Sequence, residues 1–175
     1  MTTSTFFTNR KRLMWLAVVL AVGMTAVSQI IGAPLTTDAA PQGILSFEFA
    51  GSLSNAQAIV NSWQGKTLAS AGLSLGLDYL YPILYAAAIS LSCLAAAPHL
   101  PGLGSIIGQW LARGIWLAAA LDYIENLSLI KLLLGSTQSI WPPLAWGCAA
   151  VKFTIVLLGI LVALIGGTLA LIKRD

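Results

Sequence analysis

Charge is scarce in this chain. Of 175 residues 15 are charged, or 9%, against roughly 25% in an average soluble domain. Six of the 15 sit at the two ends, as Arg10, Lys11, Arg12, Lys173, Arg174 and Asp175, so residues 13–172 hold only nine. With 58% hydrophobic residues and a mean hydropathy of +0.86, this excludes a disordered chain, a nucleic-acid-binding domain and an ordinary soluble enzyme. Cysteine and histidine are almost missing. The two cysteines, Cys93 and Cys148, form no CxxC, which excludes a zinc knuckle and a thioredoxin-like redox pair. The single histidine, His99, cannot supply a bis-histidine haem within one chain, and it sits in a turn between two prolines as a solvated loop residue.

What remains is apolar. A spanning helix needs about 20 apolar residues, and four such segments fit: about 13–31, 68–96, 106–134 and 144–172. The first follows the basic cluster Arg10–Arg12. Its rival reading is a cleaved signal peptide, because Ala26-Val27-Ser28 is a small-x-small site, but 19 uncharged residues exceed the usual h-region. Residues 32–66 form the longest polar stretch, broken by Pro34, Pro41, Gly43 and Gly51. Within it Ser54 is the expected N-cap of a short amphipathic helix near 55–63, whose Ala56, Ile59, Val60 and Trp63 share a face suited to a membrane surface. The preceding ILSFEFA is too apolar for a free loop and is expected to pack. The expected fold is therefore all-α: a four-helix antiparallel transmembrane bundle with a short amphipathic helix in the first outer loop, as a single domain over 1–175.

The positive-inside rule orients it. Placing both termini in the cytoplasm puts Arg10, Lys11, Arg12, Arg113, Lys173 and Arg174 on the inner side of a plasma (inner) membrane, and leaves Lys66 and Lys131 outside. Cys93 and Cys148 then lie about one hydrocarbon thickness apart, roughly 25–30 Å, too far for a disulfide, which needs α-carbons within about 7 Å.

Four charges fall inside the spans away from their ends: Asp78, Asp122, Glu125 and Lys152. Each costs about 3 kcal/mol at mid-membrane, and such residues usually face a bundle interior and mark function. They lie roughly eight to ten residues from the outer ends of their spans, or one turn deeper. At about 1.5 Å per residue that is the outer half or the midplane, so one cluster is the simplest reading. Asp122, Glu125, Asn126 and Leu129 share one helix face, whereas Arg113 and Lys131 point about 180° from Asp122. Ser74, Asp78, Tyr81, Pro82 and Tyr85 share a face of the second span, where Pro82 is expected to kink the helix. Lys152 projects from a row of small residues, Ala145, Cys148, Ala149, Gly159, Ala163 and Gly166, which suits close helix packing in lipid. Three acids against one lysine, with Glu48 from the outer segment as a fourth acid, cannot all ionise in a dry core. Protonated carboxyls, water from outside or a bound cation would each resolve this. A packing role for a Lys152–carboxylate pair, with hydrogen bonds from Tyr79, Tyr81, Tyr123 and Asn126, stands beside these functional readings.

The ordered set Phe47-Glu48-Phe49-Ala50, Trp63, Leu77-Asp78-Tyr79 with Tyr85, Asp122-Tyr123-Ile124-Glu125-Asn126 and Lys152-Phe153 resembles a family of small, uncharacterised bacterial four-span integral membrane proteins, over about residues 43–155. The resemblance implies a four-span fold in a bacterial membrane and no particular reaction. Motifs of CDP-alcohol phosphotransferases and of aspartate-rich prenyltransferases are absent, as are HExxH, GxSxG and the P-loop. Asp122-x-x-Glu125 alone offers too few oxygens for a magnesium site, so no metal, cofactor or catalytic residue is assigned. The leading expectation is a polar site of Glu48, Asp78, Tyr81, Asp122, Glu125, Asn126 and Lys152 that binds a proton, a cation or a polar-headed lipophile. The alternatives are a membrane enzyme acting on a lipid or isoprenoid by acid/base catalysis, and a structural membrane subunit. The expected partners are the lipid bilayer and further copies of the chain, since four spans rarely enclose a path alone; nucleic acid is not one.

Overall fold

The computed structural model describes the backbone of residues 3–173 and side chains from residue 9 onward. Among the described residues the protein is all-helical, with no strand: α1 (Thr3–Gly32), α2 (Ile44–Glu48), α3 (Leu53–Ser62), α4 (Lys66–Leu77), α5 (Tyr81–Ala96), α6 (Gly104–Leu133) and α7 (Trp141–Ile172). Three stretches are long and apolar enough to cross a membrane: Asn9–Leu35, Tyr81–His99 and Trp141–Ile172. The expected span at 106–134 corresponds to α6, which has the length at 30 residues but carries Arg113, Asp122, Glu125 and Lys131 and is not among the three. The chain forms two compact units. The first comprises Met1–Val22, Ile83–Ala119 and Lys152–Asp175; the second comprises Gly23–Pro82 and Ala120–Val151.

The first unit is held by small residues. Ala17, Ala21 and Ala88 form a buried cluster with Val18, Leu84 and Ala87 against it. Ser90 Oγ donates to the Ala112 carbonyl at 2.7 Å, and the buried Cys93 Sγ donates to the Gly159 carbonyl at 3.2 Å. Neither Cys93 nor Cys148 forms a disulfide. At Gly166 a β-carbon would lie 2.5 Å from Ala96 Cβ and 2.8 Å from the Ala96 carbonyl oxygen. The small face expected on α7 is therefore used for close approach at Gly159 and Gly166. The opposite faces are bare: Val19 is 65% exposed, and Leu157 and Leu164 are each 64% exposed. Only 6% of the apolar window in α1 and 11% of that in α7 is buried inside the protein. Water would not tolerate so much contiguous aliphatic surface, whereas lipid is its natural solvent.

The second unit has a conventional core. Trp63 is buried at its centre. Its Nε1 donates to the Leu35 carbonyl at 2.9 Å, and its ring meets Phe47 edge to face at 5.3 Å. The polar segment thus closes over its own apolar side chains: Phe47 from α2, Ala56 and Ile59 from α3, Ala71 and Leu75 from α4, and Leu129 and Leu132 from α6. This corrects two expectations. The apolar face of α3 is buried in this core rather than laid on a membrane surface, because α2 and α4 supply partners for it. Its N-cap is Ser52, whose side chain accepts from the Asn55 N–H at 3.2 Å, not Ser54. Replacing Ser52 with alanine should destabilise the second unit by about 1 kcal/mol, and Ser54→Ala by much less, which chemical denaturation followed by Trp63 fluorescence would separate.

The expected single helix over 68–96 is broken. α4 ends at Leu77, a turn occupies Asp78, Tyr79 and Leu80, and α5 begins at Tyr81. The cause is Pro82. In a continuous helix its N–H would bond the carbonyl four residues back, that of Asp78; proline has no N–H, and its ring clashes with that carbonyl. So Pro82 does more than kink the chain: it starts a new helix. α6 stops equally sharply. Gly135, at φ 86°, donates to the Leu132 carbonyl and Ser136 to the Lys131 carbonyl, both at 3.0 Å, the paired bonds of a Schellman cap.

Candidate functional site

The carbonyls released by the α4–α5 break are taken up by α6. Asn126 Nδ2 donates to the Asp78 carbonyl at 3.1 Å and to Asp78 Oδ2 at 2.9 Å. One turn earlier on α6, Tyr123 Oη donates to the Tyr79 carbonyl at 3.0 Å, and the two tyrosine rings lie 5.8 Å apart. A third helix also reaches the joint, with Thr25 Oγ1 of α1 2.8 Å from Tyr81 Oη. Of the residues expected in one cluster, Asp78 and Asn126 are thus in direct contact, and Tyr81 is bonded to a residue the sequence reading did not include. The signal for Thr25 was a hydroxyl within an uncharged span, where polar side chains serve hydrogen bonds across helices.

Asn126 is 1% exposed. Both of its N–H groups face oxygen acceptors, which fixes the amide orientation and leaves Oδ1 as the remaining acceptor. That atom is buried and accepts no hydrogen bond. Beside it on the same face of α6 are Asp122, 2% exposed, and Glu125, fully buried; Ser128, also fully buried, returns its hydroxyl to the Ile124 carbonyl at 2.8 Å. Side chains three and four residues apart on a helix are neighbours, with about 5–6 Å between β-carbons. Glu48, at the end of α2, is 6% exposed. Among the described residues no three His, Cys, Asp or Glu side chains come together in a set that could hold a metal ion.

Charge divides with the units. Five of the six acids, Asp38, Glu48, Asp78, Asp122 and Glu125, belong to the second unit, together with two lysines, Lys66 and Lys131, that are exposed. Seven of the nine basic residues belong to the first. Lys152 is among these; it is 5% exposed, with Nζ 4.7 Å above the Phe153 ring. The chemistry available on the α6 face is that of acceptors: two carboxyl groups and one amide oxygen in a site shielded from water. Comparison with protein-family models, with curated proteins and with solved structures gives no match.

Proposed function

We propose that the chain is a four-span antiparallel bundle of a bacterial plasma membrane, both termini cytoplasmic, whose second unit binds a small cation on the Asp122–Glu125–Asn126 face of α6. The ligand is a monovalent cation or the protonated head of a lipophile. The carrying observation is Asn126 Oδ1, a buried amide oxygen that accepts nothing. Leaving such an atom without a donor costs about 1–3 kcal/mol, and a ligand N–H or cation removes that cost. The acidic neighbours select for positive charge, and Asp122 and Glu125 with one amide oxygen suit a single charge, since divalent ions take six or more oxygens.

The bundle rests on paired contacts. Ser90 meets Ala112, and a β-carbon at Gly108 would meet Ala97, so α5 and α6 run in opposite senses. Gly159 lies against Ile89 and Gly166 against Ala96, equal steps along both chains, which suits α5 and α7 as parallel diagonal partners. α6 is then the fourth span, its acids tolerable because they face inward. The basic first unit belongs at the cytoplasmic surface by the positive-inside rule. Asp78 has a second role, favoured by its two bonds to Asn126: it fixes the α4–α5 joint, which is structural.

The test is infrared spectroscopy of the protein in bilayers, with sodium and dodecylammonium as probes. A shift in the carboxylate stretching bands on adding one probe, lost in Glu125→Gln while the helical circular dichroism is kept, is expected. Bands insensitive to both probes, or equal shifts in Glu125→Gln, would refute the assignment.

A further inference from the structure

A second cleft lies in the first unit, among residues of α1 and the end of α5. Arg10, Lys11 and Met14 of α1 and Leu91, Leu94 and His99 near the end of α5 line a cleft of about 240 Å³. Lys173 is drawn to the same place, its Nζ donating to the His99 carbonyl at 3.4 Å. The cleft is two-sided in character. Its floor is aliphatic and its rim carries two permanent cations, an imidazole and a nearby ammonium. Asp175 is the single acid assigned to this unit.

We infer that this cleft binds the phosphate headgroup of an anionic phospholipid, with the start of an acyl chain on the Met14–Leu91–Leu94 floor. The size decides between ligand classes. Pockets that engulf a whole small molecule run to about 300–1,000 Å³, so this one suits a headgroup whose tails stay outside in the bilayer. The aliphatic floor decides the source. A free phosphate gains nothing from Met14, Leu91 and Leu94, whereas a lipid buries its first methylenes there. Basic clefts beside spanning helices on the cytoplasmic side are where anionic headgroups are held, at about 1 kcal/mol per base. Arginine and lysine at a helix end would follow the positive-inside rule without any site. His99, with one aliphatic floor shared by α1 and α5, is what that rule does not require. This reading is independent of the ligand proposed for the second unit, since no residue is shared.

The experiment uses the full chain in nanodiscs of mixed phosphatidylglycerol and phosphatidylcholine, with lipid retained on the protein counted by native mass spectrometry after release into detergent. Preferential retention of phosphatidylglycerol is expected. Lys11→Gln and His99→Leu should each reduce it about fivefold, the equivalent of about 1 kcal/mol. Arg12→Gln removes the same charge one residue away, outside the cleft lining, and should leave retention unchanged. Equal losses in Lys11→Gln and Arg12→Gln would mean diffuse surface charge and overturn the site. So would equal retention of the two lipids. Displacement by millimolar glycerol phosphate as effective as displacement by phosphatidylglycerol would assign the cleft to a soluble phosphate and overturn the lipid.

Discussion

Gly166→Ala is expected to destabilise the first unit by about 2–3 kcal/mol, although alanine is the better helix former. The helix-propensity gain is at most about 1 kcal/mol. Against it stands a new methyl group 2.5 Å from Ala96 Cβ and 2.8 Å from the Ala96 carbonyl oxygen, both belonging to groups with no rotamer to escape into. Overpacking a tight interface costs about 1–3 kcal/mol, and here the obstacle is backbone. Two neighbouring glycines calibrate the effect. At Gly159 a β-carbon would lie 2.8 Å from Ile115 Cδ1, a side-chain end, and from Ile89 Cγ2, a methyl on a stiff branched side chain; both are side chain rather than backbone, so Gly159→Ala should cost less. At Gly167 nothing lies within 4 Å, so Gly167→Ala should be neutral or slightly stabilising. Unfolding of the three variants in bicelles would test the order 167, 159, 166. Equal stability of all three would mean that α5 and α7 are not in this contact.

Asn126→Leu is expected to cost about as much, by a different route. The change removes both bonds to Asp78, one of them to a carboxylate, and leaves the Asp78 carbonyl without the donor that Pro82 already withholds. Hydrogen bonds to charged groups are worth about 1.5–3 kcal/mol, and a stranded buried acceptor costs a similar amount. Asp78→Asn should be mild by comparison, because an amide oxygen still accepts from Asn126 Nδ2. Asp78→Ala should be worse than Asp78→Asn. Its backbone bond survives, yet the side chain that anchors the amide orientation is gone. Thermal melts of these variants would show whether the joint between α4 and α5 depends on the side-chain pair. If Asn126→Leu melts with the unaltered protein, the joint is held by backbone turns alone.

The residues readable from sequence were those whose signal is local. Long uncharged runs marked α1, α5 and α7, the spacing of Ala56, Ile59 and Trp63 gave the inward face of α3, and the small residues at Gly159 and Gly166 gave the close packing of α7. The Asp122, Glu125 and Asn126 face of α6 follows from helical periodicity, and all three side chains are buried. What sequence obscured depends on competition between distant groups. From Leu68 to Ala96 the chain is uncharged apart from Asp78, and Pro82 alone signals a kink rather than a full break. The break needs Pro82 to withdraw a donor and Asn126, 48 residues away, to supply one. Likewise the destination of the α3 face was open, because an amphipathic helix looks the same whether a bilayer or Trp63 and Leu35 cover it. Capping by Ser52 rather than Ser54 is a two-residue difference that depends on where the chain turns after Gly51.

The allocation of helices to the two units has a consequence for synthesis. The second unit ends at Val151, whereas the first includes Lys152–Asp175. Every residue of the Trp63 core has been made before residues 152–175 are added, so that core can close before the first unit does. The first unit has to wait. Its closest contacts, at Gly159 and Gly166, lie in residues 152–175. The first unit therefore closes in two steps: Ala17 and Ala21 can meet Ala88 before residue 151 is made, whereas the contacts at Gly159 and Gly166 come only with the rest of α7. A nascent chain truncated after Val151 should already protect Trp63 from quenching, while Cys93 remains open to labelling until α7 is complete.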